Sequence, residues 1–123
     1  MKPFITVVIP LYNKQNYVGK TLESVLNQSF TNFEVVLIND CSTDNSFAVV
    51  AAFDDSRIKL LSHSKNQGLS ATRNTGIKNA TSKYIAFLDA DHLWKPDFLN
   101  EIYQLINSFP DAHLVATKHE EII

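Results

Sequence analysis

Short apolar runs alternate with longer stretches of mixed, helix-like spacing along this chain. Ile5-Thr6-Val7-Val8-Ile9 is β-branched and nearly continuous, which suits a strand buried on both faces. Pro10-Leu11-Tyr12-Asn13 ends it. From about Gln15 to Gln28, Tyr17, Val18, Thr21, Leu22, Val25 and Leu26 recur at helical spacing. Phe33 to Ile38 reads as a second strand, closed by Asn39-Asp40-Cys41-Ser42. Ser42 or Thr43 is placed to cap a helix over about Asp44 to Phe53. Arg57 to Leu61 predicts a short third strand, and the Asn66-Gln67-Gly68 turn leads into a helix over about Leu69 to Asn79. Tyr84 to Leu88 predicts a fourth strand, followed by an Asp89-Ala90-Asp91-His92 turn. Pro96 suits the start of a last helix reaching about Ser108. Pro110 stops it, and Ala112 to Thr117 reads as a final strand.

Strands alternating with helices over short connections predict an α/β, Rossmann-like domain, with a mostly parallel sheet and helices on both faces. Ligands of such sheets bind at the carboxyl ends of the strands, near the point where strand order reverses. Three polar clusters fall at those ends: Pro10 to Asn13, Asn39 to Ser42, and Asp89 to His92.

Composition narrows this picture. With 123 residues, 45% apolar and 20% charged, one globular domain with its own core is expected. The single cysteine, Cys41, cannot form an intrachain disulfide. With no signal sequence recognised, the expectation is a reducing cytoplasm. No apolar run approaches the roughly 18 residues that cross a bilayer. A net charge of −2 without a basic block gives no reason to expect nucleic acid as a partner.

Each cluster has a plain reading beside a chemical one. Asp89 and Asp91 could cap the next helix. They could instead bind Mg²⁺ or Mn²⁺, which favour carboxylate and phosphate oxygens. One carboxylate would then hold the ion and the other a ribose hydroxyl. Asp40 could accept a base N–H or make an Asx turn, although Asp44 could also serve the turn. Tyr12 could stack on a base or belong to the core. Arg73 could pair with diphosphate oxygens through its planar fork or hold Asp89 or Asp91. His92 is a candidate ligand only by adjacency. His63, His113 and His119 show no ligand spacing, and Cys41 suits a tight turn.

Four of these segments occur in an order that resembles the nucleotide-binding part of family 2 glycosyltransferases, which have the GT-A fold. They are Val7 to Asn13, Phe33 to Ser46, Asn66 to Gly76 with its N-x-G…A-x-R-N-x-G pattern, and Phe87-Leu88-Asp89-Ala90-Asp91. The resemblance implies a nucleotide site made of Pro10, Leu11, Tyr12, Asn13, Asp40, Arg73, Asp89 and Ala90. Tyr12 would stack on uracil or another base, Asp40 would bond its imide N–H, Asp89 the ribose, and Arg73 would support the diphosphate. Asp91 would hold Mn²⁺ or Mg²⁺. Asn39 and His92 depart from the family pattern, which has acids at both places.

The implied reaction is inverting transfer from a nucleoside-diphosphate sugar, a UDP-sugar above all, to a hydroxyl of a sugar or glycolipid acceptor in bacterial polysaccharide or glycan synthesis. The implied location is cytoplasmic, extending to the inner face of the membrane. Asp97, Asp111, Glu120 and Glu121 follow the metal motif but match no general-base motif. The expectation is therefore a truncated GT-A domain whose catalytic base lies beyond Ile123. An exposed sheet edge would then be free to form a homodimer. Three other functions compete. A haloacid dehalogenase-type phosphatase would use Asp89 as nucleophile, but its motif stands near the N-terminus and continues with Thr or Val. A nucleotidyltransferase needs a Gly- and Arg-rich phosphate loop, which Pro10 to Asn13 does not provide. The third is a nucleotide-binding module without turnover.

Overall fold

The computed structural model describes residues 2–111 and the backbone of Glu120–Ile122. Four parallel strands form the main sheet: β1 (Ile5–Leu11), β2 (Phe33–Asn39), β3 (Ile58–Ser62) and β4 (Tyr84–Phe87), in the order β3-β2-β1-β4. The helices are α1 (Val18–Leu26), α2 (Ser46–Ala51), α3 (Leu69–Asn79) and α4 (Phe98–Ser108). A separate antiparallel pair joins β5 (His92–Trp94) to β6 (Glu120–Ile122). No helix among the described residues is long and apolar enough to cross a membrane.

The chain steps from β1 to β2 to β3 in one direction, then returns across β1 to place β4 on its other side. Parallel crossovers keep one hand, so reversing direction moves the connecting helix to the opposite face. Side-chain contacts follow that rule. Ile5, Val7, Ile9 and Leu11 of β1 join Val35 and Leu37 of β2, and Val18 and Leu22 of α1, in the larger core. Val50 of α2 and Leu99 and Ile102 of α4 belong to the same core. Val8, Val36 and Ile38 point the other way and form a smaller core under α3, the one described helix on that face.

α3 reaches that face with small residues. Its buried positions are Thr72 and Gly76. A Cβ on Gly76 would lie 3.0 Å from Val8 Cγ2, 3.2 Å from Ile38 Cδ1 and closer still to Val8 Cγ1. Glycine is thus required here for close approach to the sheet.

β1 runs two residues further than its apolar pattern predicts and takes in Pro10. Val8 O accepts from Leu88 N, and Leu11 O accepts from Asp40 N. Even-numbered residues of β1 therefore turn their backbone groups toward β4, and odd-numbered ones toward β2. Pairing with β4 ends at Val8 opposite Phe87, so Pro10 faces a side where the ladder has already stopped. Its missing N–H costs no sheet bond.

Three other expectations change. α1 begins at Val18 rather than near Gln15, because Gln15 donates its backbone N–H to Asp44 and accepts from Asn45 N. α2 begins at Ser46, and Asp44 rather than Ser42 or Thr43 receives the Ser46 N–H at 2.9 Å. His92, expected in a turn, opens β5. The strand expected over Ala112 to Thr117 lies outside the described residues.

Candidate functional site

Because β4 lies on the far side of β1 from β2 and β3, strand order reverses beside β1. A cavity of about 490 Å³ opens at the carboxyl ends of these strands, where the topology predicts a ligand. Its lining includes Pro10, Leu11 and Tyr12 after β1, Asp40 after β2, and Asp89, Ala90 and Asp91 after β4. Seven of the nine residues expected from sequence thus share one cavity wall. Tyr12 stands 45% exposed, so its ring face is not spent on the core.

Asn13 and Arg73 sit elsewhere. Asn13 takes a positive φ of 50°, tolerated by asparagine, and its Oδ1 accepts the N–H groups of Thr43 (2.7 Å) and Asp44 (3.3 Å). It braces the loop after β1 against the loop after β2. Arg73 projects from α3 beside the cavity, with its guanidinium 3.5 Å from Asp89 Oδ1 and over the Phe87 ring. Of the roles open to Arg73, pairing with Asp89 is the one observed. Its Nε is buried without a hydrogen-bond partner among the described residues.

Asp40 is the most constrained group in the cavity, at 3% exposure. Oδ1 accepts from Gln67 N at 2.9 Å and from His63 Nδ1 at 2.8 Å, and Oδ2 accepts from Gly68 N at 3.0 Å. Burial pushes its acidity the unfavourable way, but the bonds from His63, Gln67 and Gly68 outweigh it and hold the carboxyl below its ordinary value. Gly68 can present its N–H because it adopts φ 92° and ψ 168°, a region essentially reserved for glycine. Asn39, beside Asp40, accepts from Ser42 N at 3.1 Å and so closes the turn after β2 with its side chain.

The opposite end is looser. Asp89, Asp91 and His92 each offer a ligand atom, all within 4.8 Å of one another. Lys14 Nζ lies 3.5 Å from Asp91 Oδ2, and His92 Nε2 lies 3.6 Å from Asp91 Oδ1. Protein cations thus stand at both aspartates. The donor set of hard carboxylate oxygens with one imidazole suits a divalent ion such as Mn²⁺ or Mg²⁺. The turn itself is held by its backbone, since Thr21 Oγ1 of α1 donates to Ala90 O at 2.9 Å.

Sequence reasoning missed Lys14, which lines the cavity, and gave no role to His63, which supports it. Asn66, Gly68, Leu69 and Thr72 were visible as a motif but not as lining. Asp97 and Asp111 do not line the cavity; Asp97 instead accepts from Ser29 Oγ at 2.6 Å. The side chains of Glu120 and Glu121 lie outside the described residues.

The comparisons with known proteins agree with this fold. Over 73% of its length, the chain is 39% identical to the Escherichia coli UDP-Glc:alpha-D-GlcNAc-diphosphoundecaprenol beta-1,3-glucosyltransferase WfgD, covering 36% of that protein. The structure of Staphylococcus aureus TarS 1-349 in complex with UDP-GlcNAc superimposes with a TM-score of 0.83 at 26% identity, over 95% of this chain and 37% of that one. The mannosyltransferase PcManGT from Pyrobaculum calidifontis, in complex with GDP-Man and Mn²⁺, gives 0.78 at 26% identity over 86% and 33%. The chain spans less than half the length of the curated relatives it matches. The fold is the GT-A type expected from the sequence, and neither the phosphatase nor the nucleotidyltransferase reading keeps any support. Residues 6–121 match the model of glycosyl transferase family 2, and the chain belongs to that family.

Proposed function

We propose that this chain forms the donor-nucleotide side of an inverting glycosyltransferase of bacterial glycan synthesis, with a UDP-sugar as donor. One observation carries the reading: a single cavity has an exposed tyrosine and a fixed buried carboxylate at one end, and paired aspartates flanked by cations at the other. A nucleoside diphosphate has the matching order of groups, with base, ribose and then phosphates. Tyr12 would stack on the base, and Asp40 would accept its imide N–H. Oδ1 already takes two bonds and Oδ2 one, so the remaining acceptor position of the carboxylate is on Oδ2.

Asp89 would bond the ribose, and Arg73 has an unused Nε–H to offer. A diphosphate beside Asp89 and Asp91 meets like charge, and this calls for a cation between them. Asp91, with His92 adjacent, would hold Mn²⁺ or Mg²⁺, which stabilises the charge of the leaving nucleoside diphosphate. Lys14 would contribute a second positive charge. Transfer itself is one displacement: an acceptor hydroxyl bonds the anomeric carbon as the bond to the diphosphate oxygen breaks. The hydroxyl's proton passes to a general base. Among the described residues the only acids lining the cavity are Asp40, Asp89 and Asp91, all engaged on the donor side.

WfgD's name specifies UDP-Glc, and the TarS complex contains UDP-GlcNAc. These favour uridine over guanosine, which PcManGT binds as GDP-Man. Calorimetry with UDP and GDP, in Mn²⁺ or in chelator, tests the reading. UDP should bind with Mn²⁺, and chelator or Asp91→Ala should weaken it at least tenfold. Undetectable binding, or binding indifferent to both changes, would overturn it.

A further inference from the structure

His63 is the buried titratable group that the proposed donor site leaves unused. Its side chain is 9% exposed, and both ring nitrogens are engaged: Nδ1 with Asp40 Oδ1 at 2.8 Å and Nε2 with Thr75 Oγ1 at 2.9 Å. A carboxylate only accepts, so Nδ1 carries the proton directed at Asp40. Nε2 faces the Thr75 hydroxyl, whose single proton lies between Nε2 and Ala71 O, the latter at 3.1 Å. The imidazole therefore spans from α3 to the end of β2. It comes from just past β3, where Asn39 O holds the His63 backbone N–H at 2.9 Å.

We propose that His63 is a positioning residue for base recognition, locking Asp40 in the orientation that leaves its one open acceptor position on Oδ2. The inference rests on the reading of this cavity as a nucleotide site. Three donors reach the carboxylate, and two of them come from the backbone of the Gln67–Gly68 turn. Among the described residues His63 supplies the only side-chain donor, and it occupies the second acceptor position of Oδ1. Without it Oδ1 regains an open acceptor position, and one backbone N–H on each oxygen is left to hold the carboxylate. The acceptor offered to a base N–H is then held less firmly and competes with a second open position on Oδ1. A hydrogen bond to an ionised group is worth about tenfold or more in affinity, and that benefit requires the acceptor to be held in place.

The test is a comparison of UDP with N3-methyl-UDP, in Mn²⁺, on the wild-type chain and on His63→Leu and His63→Asn. Methylation removes the imide N–H and leaves the rest of the nucleotide intact. The wild type should prefer UDP by about tenfold or more. His63→Leu should reduce that preference to within about threefold. His63→Asn, whose amide N–H is placed like Nδ1–H, should retain most of it. Thermal melts establish that each variant is folded, and Thr75→Val, which frees the far side of the ring, should give an intermediate preference. General loosening of the structure would weaken both nucleotides together and leave their ratio unchanged. Equal binding of the two nucleotides by the wild type would overturn base recognition by Asp40, and this inference with it. A wild-type preference that persists in full in His63→Leu and Thr75→Val would overturn the role of His63 alone.

Discussion

Replacing Gly76 by alanine tests how closely α3 must approach the sheet. In an exposed helix interior this change gains about 1 kcal/mol of helix propensity. Here the new methyl would lie 3.0 Å from Val8 Cγ2 and 3.2 Å from Ile38 Cδ1, and closer still to Val8 Cγ1. Both methyls of Val8 crowd the position, so a rotamer change exchanges one clash for another. Val8 is fully buried in the central strand and cannot retreat. Restoring ordinary carbon contact near 3.5–4.0 Å requires α3 to move outward by about 1 Å. Overpacking of this kind costs about 1–3 kcal/mol, and contact with two neighbours puts it near 3. Set against the propensity gain, the net loss is about 2 kcal/mol. For a domain of this size that lowers the melting temperature by roughly 6–10 °C. Thermal unfolding by circular dichroism reads this directly. Adding Val8→Ala to Gly76→Ala should recover more than about 1 kcal/mol relative to the sum of the single changes, since the two sites are in contact. A melting temperature at or above wild type for Gly76→Ala, or strict additivity with Val8→Ala, would refute the argument.

Two further predictions concern charge. Glu34, Asp40 and Asp44 are pushed up by burial but pulled down further by their hydrogen bonds, and Asp55 is pulled down by Arg57, so all four are more acidic than usual. A carboxylate with a depressed folded-state pKa stabilises above its unfolded value and loses that contribution as pH falls through the folded one. Melting temperature should therefore be level from neutral pH to about 5. It should fall steadily once pH drops below the ordinary 4.5 of Glu and 3.8 of Asp, and a rise there would contradict the assignment. Lys14→Met removes the cation beside Asp91, so Mn²⁺ alone, followed by electron paramagnetic resonance, should bind about two- to fivefold more tightly. The UDP–Mn²⁺ complex should bind more weakly by calorimetry, and unchanged values in both assays would remove Lys14 from the site.

The parts of this molecule legible from sequence are those whose cause is local. β1 and β2 announce themselves as apolar runs because both of their faces are covered. The Asp89-Ala90-Asp91 turn stands out because it follows such a run. α3 is found by the Asn66-Gln67-Gly68 turn before it more than by its pattern, since it packs through Thr72 and Gly76 rather than an apolar stripe. β5 is too short for a period of two to show, and its partner β6 lies beyond α4. The start of α1 is set by bonds from the loop after β2, which spacing within α1 cannot reveal. Lys14 went unnoticed, and His63 was given no role, for the same reason. Their meaning comes from Asp40 and Asp91, brought near by the sheet and not by the chain.

The two ends of the cavity are built in opposite ways, and this bears on how each would bind. If a base binds at Asp40 as proposed, the group that recognises it is itself restrained, because Asp40 accepts from two backbone amides and an imidazole before any ligand arrives. At the other end the restraint falls on the backbone. Thr21 and Ser24 of α1 and Gln28 just past its end form a polar stripe: Thr21 holds Ala90 O, Ser24 receives Trp94 N, and Gln28 bonds Lys95 O and Leu99 N. The stripe satisfies backbone groups of a segment that has left the main sheet, as buried polar groups require. By gripping the alanine between the aspartates, it leaves both carboxylates free of the backbone, so that a divalent ion bound there would replace Lys14 and Arg73 and release both cations to phosphate oxygens. Those ion pairs are open to water and weak, so they yield readily. Base selection on this scheme is preorganised and insensitive to salt. The diphosphate end is electrostatic, and it should lose affinity as ionic strength shortens the reach of its charges.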